Sequence, residues 1–330
     1  MKQKILITGE YGLLSVAIKK QIDNNKFEIV NTDKKAAFYN SFHLYNNKLV
    51  KNKELDVCDR DTLLSIELSK NDIIIHTAAY VNTDKCNTFT YDAIKSNVLG
   101  TQNIIDLCLK TKAKLIYMST TAVFDPESYM KDSGFFTEES KIDPKTVYGL
   151  TKYIGEKCVK QSSIDNWIVI KPVFIYGDAP IDNSSNIRKI FEAVLNKKNI
   201  DITLNRKYKK NYMRSEGFAL MFNEILENSS SINKEDFIIS RNTNYAKEFS
   251  YYINLMSKIA GTDITKYMTL KEDEDYLANH IGISKNFYRH FPSFKLPNEI
   301  FDDYSCLKKT YDSVVSLKNE VWRSSDKKTR

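Results

Sequence analysis

The chain has 330 residues, more than one domain usually contains, so we expect one large or two unequal domains. With 42% hydrophobic and 28% charged residues, it has the composition of an ordinary globular protein. The net charge of +7 is spread along the chain and favours an anionic substrate, whereas a nucleic-acid partner would need a denser basic stripe.

The sequence argues against a metal site, a disulfide frame and a membrane span. The five cysteines are scattered and never form a Cys-x-x-Cys pair, and the four histidines lack metal-ligand spacing. We therefore expect reduced thiols in a cytoplasmic protein without a bound metal. The N-terminal apolar run is too short for a signal peptide, and no apolar stretch approaches the ~20 residues of a membrane helix.

The first 170 residues alternate short apolar runs with amphipathic stretches, which is typical of an α/β protein with a doubly wound parallel sheet. Strands are predicted at 4–8, 27–30, 54–57, 72–76, 114–118 and 166–170. The predicted helices between them span 13–24, 60–69, 90–112 and a segment that Pro144 opens and that runs to about Gln161.

Beyond Gly177 the pattern loosens. Helices are predicted at 186–197, 213–227 and 245–259, with a strand at 236–240. The tail to Arg330 is polar with weak periodicity, and we expect it to fray from Ser324.

A glycine-punctuated turn follows the first predicted strand. Gly9 and Gly12 are three apart, and the small Ser15 stands where a third glycine would complete the series. Such a turn lets a dinucleotide pyrophosphate approach the backbone at a helix N-terminus. The position after the first strand therefore indicates dinucleotide binding.

Asp33 ends the second predicted strand, about 20 residues beyond the turn. A carboxylate there accepts hydrogen bonds from the adenosine ribose and favours NAD. Lys34 follows directly and would neutralise the 2′-phosphate of NADP instead. The preference between NAD and NADP stays open.

Tyr148 and Lys152 are four apart on a predicted helix and share one face. The charge of Lys152 would lower the pKa of the Tyr148 phenol, which makes it a proton donor and acceptor near neutrality. Thr120 follows the fifth strand, where open α/β sheets place their ligands, and would share a proton with Tyr148.

A basic segment, 206–210 with Arg214 after it, admits two interpretations. A solvated loop is the first, and a contact with a substrate diphosphate is the second.

These motifs together resemble the extended short-chain dehydrogenase/reductases. The matching motifs, in order, are Gly9-x-x-Gly12, Asp56-Val57, His76-Thr-Ala-Ala79, Asn97, Met118-Ser-Thr120 and Tyr148-x-x-x-Lys152. Within that superfamily the chain is most similar to nucleotide-sugar reductases of the dTDP-4-dehydrorhamnose reductase type, through residues 78–85, 119–125 and 171–177.

The resemblance implies a Rossmann-type NAD(P)-binding domain over 1–177, joined by 212–242, and a smaller C-terminal α/β substrate domain over 178–330. It implies catalysis by Thr120, Tyr148 and Lys152. The residues it places at the cofactor are Gly9, Tyr11, Gly12, Leu13, Asp33, Lys34, Asp56, Val57, Ala78, Ala79, Tyr80 and Asn97. Those it places at the substrate are Val81, Thr121 and Phe174.

The implied activity is NAD(P)-dependent reduction of a nucleotide-linked 4-keto-sugar, as in polysaccharide biosynthesis, by a homodimer. The alternatives are a nucleotide-sugar epimerase and a non-catalytic NAD(P)-binding regulatory subunit. Thr121 and Ala122 replace the Asp-Glu pair of 4,6-dehydratases, which disfavours that activity, and Lys171 stands where arginine is common.

Overall fold

A computed structural model describes residues 2–33, 43–45, 48–50, 53–132, 134–177, 185–203, 209–271 and 281–326. Its strands are β1 (Gln3–Thr8), β2 (Phe27–Asp33), β3 (His43–Tyr45), β4 (Lys48–Val50), β5 (Lys53–Glu54), β6 (Ile73–His76), β7 (Lys114–Met118), β8 (Trp167–Pro172), β9 (Ile175–Tyr176), β10 (Ile200–Thr203), β11 (Lys209–Lys210), β12 (Met213–Arg214), β13 (Glu235–Ile239), β14 (Lys247–Glu248) and β15 (Met268–Lys271).

The α-helices are α1 (Leu13–Gln21), α2 (Arg60–Leu64), α3 (Thr83–Thr88), α4 (Thr90–Ile94), α5 (Gly100–Thr111), α6 (Pro126–Asp132), α7 (Val147–Gln161), α8 (Asn186–Asn196), α9 (Ser215–Glu227), α10 (Phe249–Ala260), α11 (Lys285–His290) and α12 (Asp303–Asp326). A π-helix (Lys95–Leu99) joins α4 to α5, and the short 3₁₀ turns are Thr121–Val123, Thr243–Tyr245, Ile264–Tyr267 and Asn298–Phe301.

The main sheet confirms the prediction of a doubly wound parallel sheet. Its strand order is β13-β8-β7-β6-β1-β2-β5. Six of these strands pair in parallel from β5 through β1 to β8, with β13 beside β8. The order reverses between β1 and β6, which creates the crevice where such sheets bind ligands.

Several boundaries differ from the predictions, and the local hydrogen bonds give the reasons. The third predicted strand, 54–57, ends early because the Asp56 carboxylate accepts from the Cys58 backbone at 2.9 Å and forms a turn. Pro144 does not open α7; Thr146 caps it instead and accepts from the Gly149 backbone at 3.0 Å. The tail, for which weak periodicity gave no predicted helix, contains the 24-residue helix α12.

The chain divides into two compact units. The first unit comprises Met1–Asp125, Ile142–Pro172 and Phe222–Phe237; the second comprises Pro126–Lys141, Val173–Met221 and Ile238–Arg330. The boundary predicted from the sequence is 177 with a return over 212–242, whereas the structure divides after Pro172 and returns over 222–237. The return supplies most of β13, the strand beside β8.

Each unit has its own apolar core. In the first unit, the central strands β1, β6, β7 and β8 bury almost every side chain, as a sheet covered on both faces requires. In the second unit, helices α8, α10 and α12 pack together around Phe191, Tyr252 and Leu307. The buried Arg241 pairs there with Asp303 at 2.7 Å, which attaches the start of α12 to the core.

A buried polar cluster links α7 to the sheet in the first unit. Glu156 on α7 pairs with Lys171 on β8 at 3.0 Å and with Lys160 at 2.7 Å. Asp236 on β13 pairs with the same two lysines, each at 2.5 Å. Glu156 and Lys171 are both almost completely inaccessible to solvent. We call these four residues the α7 charge cluster.

Replacing Lys171 with methionine should leave two buried carboxylates short of a partner. Removing one member of a buried pair typically costs about 3–5 kcal/mol, so we expect a loss of that order in the free energy of unfolding. Chemical denaturation at pH 7 measures it. The control is Lys285→Met, which removes an exposed pair with Glu139 and should change stability very little. Equal effects of the two substitutions would contradict the structural role of the cluster.

Candidate active site

The turn between β1 and α1 has room for backbone only. Gly9 has a φ of +67°, and a Cβ at this position would lie 2.8 Å from the Cα of Ala78 after β6. Gly12 donates its backbone N–H to the Gly9 carbonyl at 3.0 Å and begins α1. Within the described residues no side chain caps α1, and its first turn carries no acidic residue. These features fit a diphosphate at the helix N-terminus.

Side chains next to the turn hold it in place, and among them the pair of Glu10 and Lys19 was not predicted from the sequence. Ser15 lies 2.5 Å from the hydroxyl of Thr77, which donates to the Thr8 carbonyl at 2.6 Å. Glu10 is fully buried and pairs with Lys19 on α1 at 3.1 Å. This pairing offsets the negative charge of Glu10 near the helix N-terminus. The nine-residue separation of Glu10 and Lys19 gave no recognisable signal.

Other predicted cofactor residues occupy the same sheet edge. Tyr11 is buried and Leu13 is half-buried at the start of α1. The backbone of Asp33 pairs with Glu54, while its side chain and the whole of Lys34 lie outside the described residues. Val57 is buried against Gly100.

Asn97 organises the segment that follows β6. Its side chain accepts from the Tyr80 backbone N–H at 2.7 Å and donates to the Tyr80 carbonyl at 3.1 Å. It also donates to the Thr151 hydroxyl on α7 at 2.9 Å. These bonds hold the 78–80 segment against α7, so the side chain of Asn97 acts on Ala78, Ala79 and Tyr80 through the backbone. Its direct contact with a cofactor stays a prediction.

Helix α7 approaches the sheet through two glycines. A Cβ at Gly149 would overlap the Ala122 carbonyl, and one at Gly155 would come within 2.5 Å of the Tyr117 hydroxyl. This close packing places Tyr148, one residue before Gly149, beside the end of β7. The Thr120 hydroxyl lies close enough to the Tyr148 hydroxyl to lower the pKa of the phenol.

The structure corrects the predicted electrostatics of Tyr148. Burial of the phenol raises its pKa to about 12, and the hydrogen bond with Thr120 opposes that shift. The pKa of Tyr148 is thus raised, contrary to the expectation that the charge of Lys152 brings it near neutrality. The Lys152 ammonium instead lies 4.3 Å from the centroid of the Tyr117 ring.

Lys152 is itself strongly perturbed. Only 1% of the residue is exposed, and burial lowers its pKa to about 7 while Glu156 opposes the shift. The buried His76 accompanies it: burial and the charge of Lys152 lower the pKa of the imidazole to about 3. The ring nitrogens of His76 lie 2.8 Å from the Thr8 hydroxyl and 3.2 Å from the Thr101 hydroxyl. A neutral imidazole is therefore part of the sheet edge.

The predicted substrate residues fall in different surroundings. Thr121 is buried and donates its hydroxyl to the Pro172 carbonyl at 3.3 Å, whereas Val81 is exposed. Phe174 belongs to the second unit, where its ring packs 5.3 Å from that of Tyr212 and the Lys210 ammonium lies 4.6 Å above it.

Residues 206–208 of the basic segment lie outside the described residues. Lys210 and Arg214 are buried in the second unit, and Arg214 pairs with Glu216. A solvated loop therefore does not describe these two residues; a diphosphate contact stays a prediction.

Neither a metal site nor a membrane span occurs in the part of the chain that the structure describes. No cluster of three histidine, cysteine or acidic side chains there has the geometry to hold a metal. None of the helices in the described ranges combines the length and apolarity needed to cross a membrane.

Comparison with known proteins decides the family. Residues 3–206 match the family described as the RmlD substrate binding domain. The chain belongs to this family. Among curated RmlD-like relatives, the dTDP-4-dehydrorhamnose reductase of Aggregatibacter actinomycetemcomitans is 27% identical over 177 residues, or 53% of this chain and 52% of that protein. The match thus spans about half the length of this relative.

Solved structures carry the same fold as this RmlD-family chain. The dTDP-4-dehydrorhamnose reductase from Bacillus anthracis, in complex with NADP, has a TM-score of 0.70 and 19% identity, covering 94% of this chain and 99% of that one. The UDP-glucuronic acid 4-epimerase from Bacillus cereus, in complex with NAD, has a TM-score of 0.74 and 18% identity, covering 94% and 96%. The predicted resemblance to the extended short-chain dehydrogenase/reductases is confirmed.

The depressed pKa of Lys152 predicts a pH-dependent contribution to stability. Between pH 7 and about 10 the unfolded chain holds the lysine proton and the folded chain releases it, so folding stability rises with pH over this window. Relative to Lys152→Met, the wild-type protein should gain up to about 1.4 kcal/mol per pH unit from pH 7 upward. Denaturation of both proteins from pH 6 to 10 measures this difference. A pH-independent difference would show that Lys152 titrates normally.

Proposed function

We propose that this protein is an NAD(P)-dependent reductase of a nucleotide-linked 4-keto-sugar. The observation that carries the proposal is the placement of Tyr148 beside Thr120 by the close packing of α7 on the end of β7, with the buried Lys152 one helical turn along α7. All three residues belong to the first unit, as do Gly9 and Gly12. The RmlD family and its reductase relatives support the same substrate class.

In this proposal the first unit holds NAD or NADP. The pyrophosphate binds at the N-terminus of α1, against the backbone of Gly9 and Gly12. The segment 78–80, which Asn97 holds in place, lines the other side of the proposed cofactor site. Asp33 and Lys34 decide the preference between NAD and NADP. The nicotinamide supplies the hydride; every other step falls to the chain's own side chains.

Tyr148 donates its phenolic proton to the substrate carbonyl oxygen as negative charge develops there. A phenol with a pKa near 12 stays protonated at neutral pH, so it is ready to donate. Thr120 orients the carbonyl oxygen and shares the hydrogen bond with Tyr148. Lys152 holds the nicotinamide ribose, and its charge stabilises the phenolate that follows proton transfer.

The second unit by itself also carries groups suited to a nucleotide sugar. Phe174 presents an aromatic ring, and Lys210 places a cation beside it. An aromatic face suits a base or sugar ring, and a nearby ammonium suits a diphosphate. Val81 and Thr121, both in the first unit, stay proposed substrate contacts.

The alternative is a nucleotide-sugar epimerase, which would use the same catalytic side chains and retain its cofactor. The likeness to the NAD-bound epimerase structure supports keeping it. The two activities differ in stoichiometry, because a reductase consumes one NAD(P)H per product and an epimerase consumes none. Mixing the purified protein with NADH or NADPH and a panel of nucleotide keto-sugars, with absorbance at the nicotinamide band, separates them. Turnover without cofactor consumption would favour the epimerase.

A homodimer through helices of the first unit completes the proposal. The helices around 83–100 and α7 leave large apolar side chains exposed, with Tyr91 at 74% and Leu99 at 54%, together with Phe89, Ile94, Leu150 and Ile154. Exposed apolar clusters of this kind are typical of protein interfaces. Sedimentation equilibrium would measure the mass.

Tyr148→Phe removes the proposed proton donor and keeps the ring. We expect turnover to fall by about 10²–10⁴ because general acid catalysis contributes this much, while the cofactor dissociation constant stays within about twofold. The matched control is Tyr153→Phe on the same helix, which removes an equivalent hydroxyl outside the site and should retain full activity. Turnover of Tyr148→Phe within tenfold of wild type would remove Tyr148 from this role.

Gly9→Ala tests the cofactor turn. The new Cβ would meet the Ala78 backbone, so we expect the affinity for NADH and NADPH to fall at least about tenfold, or about 1.4 kcal/mol. Gly261→Ala is the control, since Gly261 has nearly the same φ, +66°, but a Cβ added there would have no atom within 4 Å. It should cost only backbone strain, about 1–2 kcal/mol of stability, and leave affinity intact. Unchanged binding by Gly9→Ala would reject the turn as the cofactor site.

A further inference from the structure

We propose that Glu156 is a positioning residue that keeps Lys152 charged, and that the α7 charge cluster holds Glu156 in place for this purpose. The inference rests on the proposed function for its relevance to catalysis. Its physical core, the coupling between Glu156 and Lys152, can be measured without any substrate.

Glu156 lies one helical turn from Lys152, and its direct ion pairs are with Lys160 and Lys171. Glu156 and Lys152 are four apart on α7 and therefore share one face of the helix. Each is 1% exposed, so solvent screens their interaction very little. A buried ammonium would lose its proton without a negative partner, because burial disfavours the charged form. Glu156 is the carboxylate that raises the pKa of Lys152 against the effect of burial.

Both carboxylate oxygens of Glu156 are engaged. One accepts a hydrogen bond from the Ser119 hydroxyl at 2.7 Å, and the other contacts Lys171 at 3.0 Å and Lys160 at 2.7 Å. Ser119 directly precedes Thr120, so the same carboxylate is tied to the segment that carries the partner of Tyr148. Glu156 is thus fixed from the end of β7, from β8 and from its own helix.

Asp236 completes the charge balance. Without it, Lys160 and Lys171 would share the single carboxylate of Glu156. The resulting net positive charge would favour loss of the proton from the neighbouring Lys152. Asp236 supplies the second carboxylate: burial opposes its ionisation, but Lys171 and Lys160 hold its pKa below the ordinary value. The cluster is therefore neutral, with two cations and two anions.

The other titratable groups around Lys152 do not compete near neutral pH. His76 from β6 has its pKa lowered to about 3, and Tyr148 on α7 has its pKa raised to about 12. Burial also raises the pKa of Tyr117 from β7 well above its ordinary value, and the pKa of Lys160 is raised by the two carboxylates despite burial. Titration between pH 6 and 9 at this site is therefore assigned to Lys152.

The experiment measures the pKa of Lys152 by linkage in the full-length protein. The difference in unfolding free energy between each background and the same background carrying Lys152→Met is followed from pH 5 to 10. The pH at which this difference begins to rise marks the folded-state pKa of Lys152. In Glu156→Gln we expect this onset at least about one pH unit below that of wild type, and Glu156→Asp should restore most of it.

Asp236→Asn provides a second variant that leaves Glu156 intact, in case Glu156→Gln does not fold. Its onset should move in the same direction by a smaller amount. Asp106→Asn is the control, because it removes a carboxylate of the first unit that pairs with Arg60 at the surface. It should leave the onset where it is. Onsets within about 0.3 pH units of wild type in both cluster variants would overturn the inference.

A catalytic readout separates this inference from the proposed function. If the reductase proposal holds, the alkaline limb of the kcat/KM profile should shift to lower pH in Glu156→Gln along with the stability onset. Failure of the wild-type protein to oxidise NADH or NADPH with any nucleotide keto-sugar would reject the proposed function but would not change the stability onsets. A shifted onset therefore supports the coupling whatever the substrate proves to be.

Discussion

The close approach of α7 to the end of β7 is the constraint on which the rest of the site depends. Gly149 faces the Ala122 carbonyl and Gly155 faces the Tyr117 hydroxyl, with no space for a side chain at either position. Any larger residue would push the helix away from the sheet. Because Tyr148 and Lys152 lie on this helix, their distances to Thr120 and Tyr117 follow from these two contacts. The spacing of the reactive groups is therefore set by backbone packing rather than by flexible side chains.

The same packing brings polar side chains into the interior, where they form hydrogen bonds and ion pairs with one another. Asn97 joins the segment after β6 to α7, and the α7 charge cluster joins α7 to β8 and β13. A buried polar network rigidifies a site only when each member has a partner. Here the network surrounds Lys152, a buried cation whose proton is only weakly held. The buried network thus both holds α7 in place and sets the charges around Lys152.

Much of the fold was predictable because apolar periodicity identifies strands and helices directly. The strands at β1, β6, β7 and β8 and the helix from 90 to 111 were all anticipated within a few residues. Local side-chain hydrogen bonds leave no periodic pattern in the sequence, and they account for two wrong boundaries. The turn at Asp56 ends the third predicted strand early, and the cap at Thr146 sets the start of α7. Helix α12 was missed because its polar face is wide and only scattered residues such as Leu307 and Val314 are buried.

At the site, residue types and spacing indicated which side chains meet, but not their electrostatics. The phenol and the ammonium were expected to interact directly, whereas burial raises the pKa of one and lowers the pKa of the other. Burial depends on the whole packed unit and cannot be read from a five-residue motif. Glu156 and Asp236 were overlooked for the same reason, since charged residues in a sequence are normally assigned to the surface.

The π-helix between α4 and α5 separates a segment with exposed apolar side chains from a segment whose apolar side chains are buried. A wide turn contains an additional residue, which offsets the helical phase by roughly 100°. Before it, Tyr91 and Ile94 point outward; after it, Ile104, Ile105 and Leu107 are fully covered. At the offset itself Asn97 turns inward. The irregular turn thus lies where the exposed apolar residues give way to the buried ones, and its Asn97 supplies the amide that joins Tyr80 to Thr151.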